Sequence, residues 1–165
     1  MNETKKNTVG MFLEPEYVSN LGIYKGTGVT EDDLSRPVIG IANAFNEMVP
    51  GHLNLRELAE QVKYGVYRAG GTPLEFGVVS CCDGIATGHC GGNYVLPSRE
   101  VIADSVEIEA MAHQLDGLVL MASCDKIVPA MLMAAARLDI PCIFINGGCM
   151  MDRHFGISQR RMPPQ

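Results

Sequence analysis

The stretch that decides the fold is Gly117-Leu118-Val119-Leu120-Met121-Ala122-Ser123-Cys124-Asp125-Lys126-Ile127-Val128-Pro129-Ala130. An apolar run, 117–122, has no polar break. A thiol, a carboxylate and an amine follow side by side, and a helical pattern then continues from Met131 to Leu138. An apolar run that does not alternate is the mark of a strand buried on both faces of a parallel sheet. Pro129 suits the first turn of the following helix, where a missing N–H leaves no bond unmade. In an open parallel α/β sheet, ligands bind where strands give way to helices. Cys124, Asp125 and Lys126 therefore stand where chemistry is expected.

The same unit recurs on either side. Val38-Ile39-Gly40-Ile41-Ala42 is a continuous apolar strand bounded by Pro37 and Asn43. A polar loop, Asn43 to Glu47, leads through Pro50-Gly51-His52 to a long helix. In it Leu55, Leu58, Ala59, Val62, Val66 and Ala69 share one face, and Gly70-Gly71 ends it. Phe76 to Ser80 reads as the second strand, running into Cys81-Cys82-Asp83-Gly84 and a glycine-rich loop that contains His89 and Cys90. Pro97-Ser98 opens the next helix, with Ser98 as its expected N-cap and Val101, Ser105, Ile108, Ala112 and Leu115 as its inward stripe. Residues 141–145 form the fourth strand, followed by Asn146-Gly147-Gly148-Cys149.

Strands alternating with helices predict an α/β fold: a parallel sheet of four or more strands with helices on both faces. Right-handed crossovers place every strand C-terminus on one edge. Asn43 and Asn46, Cys82 and Asp83, Cys124 to Lys126, and Gly147 to Cys149 converge there. Residues 1–36 read as an N-terminal arm, 37–150 as the α/β domain, and 151–165 as a polar, divergent tail.

A chain of 165 residues accommodates one domain with a real core. Its 47% apolar and 19% charged content is that of an ordinary globular protein. A net charge of −6, with no basic cluster beyond Arg160-Arg161, argues against a nucleic-acid partner. No apolar run approaches the roughly 20 residues that span a bilayer. The polar start, Met1 to Lys6, leads into no signal-peptide core, so no membrane partner and a cytoplasmic location are expected. In such a compartment the cysteines at 81, 82, 90, 124, 142 and 149 point to metal binding, catalysis or small buried hydrophobes. Cys142, inside an apolar strand, reads as core.

Asp83 and Asp125 are hard oxygen donors that suit Mg²⁺ or Mn²⁺. Cys82 and Cys124 are soft donors that suit zinc or an iron–sulfur cluster. The plainer alternative is that each Asp caps the following helix and each Cys is a small buried residue. A Cys-Asp pair at two equivalent loop positions favours ligation. Lys126 reads as a counter-ion to the carboxylates, a phosphate ligand or a solvated lysine. His52 and His89 are each candidates for substrate contact and equally for loop hydrogen bonding. His113 reads as structural or exposed, and Met131 with Met133 as core. Gly84 to Gly92 can cradle an anion with backbone N–H groups, but neither G-x-G-x-x-G nor G-x-x-x-x-G-K-[ST] is present in the right place, so a nucleotide site is not indicated.

Four motifs in order carry a family resemblance: I-A-N-A-F-N-E-M-V-P-G-H-L-N-L-R-E-L (41–58), C-D-G-I-A-T-G-H (82–89), L-P-S-R-E-V-I-A-D-S-V-E (96–107) and C-D-K-I-V-P-A-M-L-M-A-A (124–135). Residues 36–150 resemble the opening of dihydroxy-acid dehydratases and their sugar-acid dehydratase relatives. The resemblance implies removal of water from a 2,3-dihydroxy acid to give a 2-keto acid, in branched-chain amino-acid synthesis or sugar-acid breakdown. It implies Mg²⁺ bound by Asp83, Asp125 and Lys126, the last carbamylated on its amine. It implies an iron-sulfur cluster held by Cys124, with Cys82 as a further ligand. The partners implied are a small-molecule dihydroxy acid and, for the full-length protein, further copies of itself in a homo-oligomer.

This chain also departs from the family pattern. Members with a 2Fe–2S cluster carry a cysteine where this chain has Gly51. Others have glycine there and a 4Fe–4S cluster, and this chain is closer to them. Ala130 replaces a usual glycine, Cys149 a usual proline, and Cys90 a charged or small residue. Family members continue for several hundred residues, supplying another cluster cysteine, a glutamate ligand and the serine base. The expectation is thus an N-terminal dehydratase portion, inactive alone. The competing expectation is a non-catalytic remnant that binds Mg²⁺ or a partner.

Overall fold

A computed structural model describes residues 9–149 of the chain, so the tail expected at 151–165 lies outside them. The strands β1 (Val38–Asn43), β2 (Thr72–Gly77), β3 (Gly117–Ala122) and β4 (Cys142–Asn146) form one sheet in the order β2-β1-β3-β4. All pairings are parallel, with Ile41 between Glu75 and Val119, and Leu120 opposite Phe144. Every residue of β3 is buried, as its unbroken apolar sequence requires of a central strand. At the middle of β1, a Cβ on Gly40 would stand 2.4 Å from Leu115 Cδ1 and 2.8 Å from Leu118 Cδ2. Only glycine fits there without repacking the core.

Helix α3 (Leu55–Arg68) follows β1 and stops at Gly70, whose φ of 83° is the left-handed end favoured by glycine. Helices α5 (Gly92–Ala112) and α6 (Ile127–Leu138) lead into β3 and β4 and pack on each other. The step from β1 to β2 runs one way across the sheet and the next two steps run the other. Right-handed crossovers therefore put α3 on one face and α5 with α6 on the other. Their buried residues, Leu55 and Ala59 from α3, Ile102 and Val106 from α5, Ile127 and Met131 from α6, join Ile41, Leu118 and Leu120 in one core. Met131 is core as expected, and Met133 packs against it half-buried.

The N-terminal arm is more ordered than its weak patterning suggests. It contains α1 (Val18–Lys25) and α2 (Glu31–Leu34), and Phe12, Leu21, Tyr24 and Val29 pack against the core. Thr30 and Asp33 form a capping box at α2. Thr72 donates to Asp33 O at 2.7 Å and ties the arm to the sheet.

Several sequence expectations are corrected. The second strand lies at 72–77, not 76–80: β1 ends at Asn43, so the ladder ends opposite it at Gly77. The apolar residues beyond run on as loop, held by Val78 N–H donating to Asn43 O at 3.0 Å. Ser98 does not cap a helix. Helix α5 begins at Gly92 with Pro97 inside it, and the buried Ser98 hydroxyl donates to Val95 O at 2.6 Å. The inward face of α5 is Val95, Ile102, Ala103, Val106 and Ala110, whereas Val101 and Ile108 are 56% and 65% exposed. Apolar residues are spread around this helix among charged ones, so periodicity alone cannot select its buried stripe. Cys142 is exposed, not core. It lies on edge strand β4, where Ile143 is also exposed and the both-face coverage of β3 does not extend.

Candidate metal centre

The C-terminal ends of the strands open into a cleft of about 710 Å³, lined by Gly51, Cys82, Asp83, Gly84, Ser123, Cys124, Asp125, Asn146, Gly148 and Cys149, among others. Each strand's following loop contributes. Cys82 and Asp83 stand at the start of the short helix α4 (Asp83–Ala86), and Cys124 and Asp125 at the approach to α6. Four predicted ligand residues are thus in one cleft.

The Sγ of Cys82, a carboxylate oxygen of Asp83 and the Sγ of Cys124 lie within 4.8 Å of one another. Asp83 faces two ways: Oδ1 is 4.0 Å from Cys124 Sγ and Oδ2 is 3.6 Å from Lys126 Nζ. Asp125 Oδ1 is 3.8 Å from the same sulfur, while its Oδ2 accepts from Lys126 Nζ at 2.6 Å. Lys126 is therefore a counter-ion to both carboxylates, one of the roles expected of it. The hydrogen bond from Lys126 holds the Asp125 carboxyl below its ordinary value, and the bond to Asp125 raises the Lys126 amine in turn. Burial pushes the Cys124 thiol up, opposed by hydrogen bonds from the Asp125 and Asp83 backbones.

The plainer alternative describes these residues only in part. The first turn of α6 has no side-chain cap; its N–H groups at Ile127 and Val128 donate to Cys124 O, leaving Asp125 out in the cleft. Asp83 Oδ1 accepts from Gly84 N–H at 2.9 Å in the first turn of α4, while Oδ2 stays turned toward Lys126. Cys82 is half-buried on the cleft wall, and Cys124, half-buried there too, packs against the core behind it. Two sulfurs beside two carboxylates form a mixed donor set, soft for iron or zinc and hard for Mg²⁺. The residues present fit both groups expected of them.

The histidines fall elsewhere. His52 is fully buried, its Nε2 accepting from the N–H groups of Ser123 and Cys124 at 3.2 and 3.3 Å. Burial pushes its pKa down, partly opposed by the Ala44 backbone. His89 is exposed in its glycine-rich loop, where it bonds Ile85 O at 3.0 Å and accepts from Gly91 N–H. Neither lines the cleft. Exposed His113 pairs with Glu109 at 3.2 Å. Asn43 is buried and structural, donating to Glu75 at 2.7 Å and accepting from Phe45 N–H.

The support of the cleft has no signal in the sequence. Ser123 donates to Gly51 O at 2.6 Å, and Asn54 donates to Gly147 O at 2.6 Å. The turn before α3 thereby fastens the loops after β3 and β4. Its members are tens of residues apart in sequence, and no local pattern marks them.

No helix among the described residues is long and apolar enough to cross a membrane. Residues 36–162 match the family described as dihydroxy-acid/6-phosphogluconate dehydratase N-terminal, a longer span than the 36–150 over which the sequence motifs carry the resemblance. The chain is similar to a dihydroxy-acid dehydratase of Ignicoccus hospitalis, 55% identical over 146 residues, covering 88% of this chain and 26% of the relative. It is 55% identical over 140 residues to one of Pyrococcus furiosus, covering 85% and 25% respectively. A third, from Caldanaerobacter subterraneus, is 61% identical over 124 residues, covering 75% and 22%. The chain spans about a quarter of the length of these relatives. With its motif cysteines and aspartates converging at one sheet edge, the chain belongs to the dihydroxy-acid/6-phosphogluconate dehydratase N-terminal family.

Proposed function

We propose that this chain is the N-terminal part of a dehydratase converting a 2,3-dihydroxy acid to a 2-keto acid, and that its cleft holds part of an iron–sulfur and Mg²⁺ site. The observation that carries the proposal is the meeting of Cys82, Asp83 and Cys124 within 4.8 Å, with Asp125 and Lys126 alongside. Cys124, with Cys82 beside it, supplies thiolate to the cluster. Asp83 and Asp125 supply oxygen to Mg²⁺, and Lys126 becomes a third oxygen donor when carbamylated. That modification replaces the cation between the two carboxylates with an anion of their own kind. When bound, the pair of inorganic groups supplies Lewis acidity for the departing 3-hydroxyl and charge for the carboxylate and 2-hydroxyl. The chain's own contribution is to hold those donors on rigid strand ends and leave the glycine-lined wall open to substrate. The base that removes the C2 proton is assigned to residues outside this chain, as in the family resemblance, so the chain alone is inactive.

Relatives named dihydroxy-acid dehydratase support a dihydroxy acid as the substrate class, and a branched-chain precursor is the proposed member of that class. The full-length protein is proposed to act as a homo-oligomer in the cytoplasm.

The test is anaerobic reconstitution with iron, sulfide and Mg²⁺, followed by metal analysis, visible absorption and assay of 2-keto acid from 2,3-dihydroxyisovalerate or an aldonate. Cluster absorption and Mg²⁺ uptake without turnover is the expected result. Turnover by this chain would overturn the assignment of the base elsewhere, and no cluster with no Mg²⁺ would sink the ligand assignment.

A further inference from the structure

His52 lies outside the cleft, yet it touches the backbone that carries Cys124. Its ring is fully buried, and Nε2 accepts from two consecutive N–H groups, Ser123 at 3.2 Å and Cys124 at 3.3 Å. A ring nitrogen that accepts carries no proton, so the neutral ring has its hydrogen on Nδ1. That Nδ1 is buried without a partner of good hydrogen-bond geometry, and the Ala44 backbone is the polar group that opposes the effect of burial on the ring. An apolar side chain would fill the space but leave the Ser123 and Cys124 N–H groups without this acceptor, so packing alone does not explain a histidine here.

The two N–H groups belong to the turn between β3 and α6, before the first turn of that helix. Their usual partners would be water in the cleft. With His52 accepting both, and the Ser123 hydroxyl donating to Gly51 O at 2.6 Å, the turn is held through its backbone and through one side chain. The Cys124 side chain is left on the cleft wall beside Cys82 and Asp83.

We propose that His52 is a positioning residue: as a neutral Nδ1–H tautomer it fixes the Ser123-Cys124 turn and so aims the Cys124 sulfur into the cleft. Its service to a cluster rests on the reading of Cys124 given above; its hold on the turn does not.

Both parts are tested separately. On the metal-free chain, His52→Leu removes the acceptor while keeping an apolar side chain, and His52→Gln restores an acceptor oxygen. With folding checked by circular dichroism, His52→Leu is expected to speed exchange of the Ser123 and Cys124 amides about tenfold or more, the worth of two hydrogen bonds. Amides inside β3, such as Leu120, should be unchanged, and His52→Gln should recover most of the protection. Equal exchange in folded His52→Leu, or faster exchange at all amides alike, overturns the proposal. A wild-type measurement stands if that variant does not fold: a long-range proton–nitrogen spectrum should show Nε2 unprotonated and Nδ1 protonated. The opposite tautomer or an imidazolium overturns it. After anaerobic reconstitution, His52→Leu should alter the cluster's absorption and paramagnetic spectra, with His52→Gln closer to wild type. If wild type takes up no cluster, the role of Cys124 falls and the service to it falls with it, while the amide and tautomer results still decide what His52 holds.

Discussion

Gly147→Ala is expected to destabilise the chain by overpacking the point where the loops after β3 and β4 meet the start of α3. A Cβ on Gly147 would stand 2.6 Å from Ser123 Oγ, 2.9 Å from Leu55 Cδ2 and 3.3 Å from Asn54 Oδ1. The first two separations are shorter than real carbon contacts, and none of the three neighbours moves freely. Ser123 is held by Gly51 O, Asn54 by Gly147 O itself, and Leu55 is buried. No left-handed φ is involved, so the cost is steric only. Overpacking of this kind costs about 1–3 kcal/mol. With a urea m-value of about 2 kcal/mol per molar for a small domain, the unfolding midpoint should fall by roughly 0.5–1.5 M at unchanged slope. Ser123→Ala removes the nearest struck atom but gives up one hydrogen bond, a loss of about 0.5–1.5 kcal/mol. The double variant should therefore cost less than the sum of the singles, by about 0.5 kcal/mol or more. An unchanged midpoint for Gly147→Ala, or strict additivity in the double, would refute the reasoning.

Further outcomes follow from other parts of the structure. Ile102→Ala, at a fully buried α5 position, should cost about 2–5 kcal/mol in urea unfolding. Ile108→Ala, at 65% exposure, should stay within about 0.5 kcal/mol of wild type; a reversed order would restore the face expected from sequence. Glu75 feels burial raising its pKa, but Lys63 and Asn43 outweigh it and hold the folded value below the ordinary 4.5. Its contribution to stability is then present above the ordinary carboxylate range and lost as pH falls through the folded value. Glu75→Gln should flatten the acid limb of a pH–stability profile below about pH 5, and an unchanged limb would deny Glu75 that role. Cys124→Ser and Asp83→Asn, both at half-buried cleft positions, should leave the circular dichroism spectrum intact. The first should abolish iron uptake on reconstitution and the second Mg²⁺ uptake, read by metal analysis.

The candidate site was largely legible in the chain because its residues are local to their strands. Cys82-Asp83 and Cys124-Asp125-Lys126 each follow a strand by a few residues, and a parallel sheet brings such positions to one edge whatever the strand order. The partner of each was not legible. That Asp83 shares one oxygen with the Cys124 sulfur and the other with Lys126 depends on the distance between two loops that are forty residues apart in sequence.

By itself the sequence determined the parallel α/β class, the identity of β1 and β3 as buried strands, the helix at Leu55–Arg68 and the edge where ligands gather. These are short-range consequences of unbroken apolar runs, helical spacing and chain-breaking glycines. Tertiary structure alone decided which side of α5 is buried, since a helix whose apolar residues are spread around its circumference among charged ones takes its inward face from what packs against it. It alone decided that Cys142 is exposed, because burial in a strand depends on having covered neighbours and β4 is an edge. It also decided the place of His52. The order β2-β1-β3-β4 sets β1 beside β3, so the turn after one lies under the loop after the other. A histidine with no ligand spacing of its own thereby reaches the backbone of Cys124, 72 residues away.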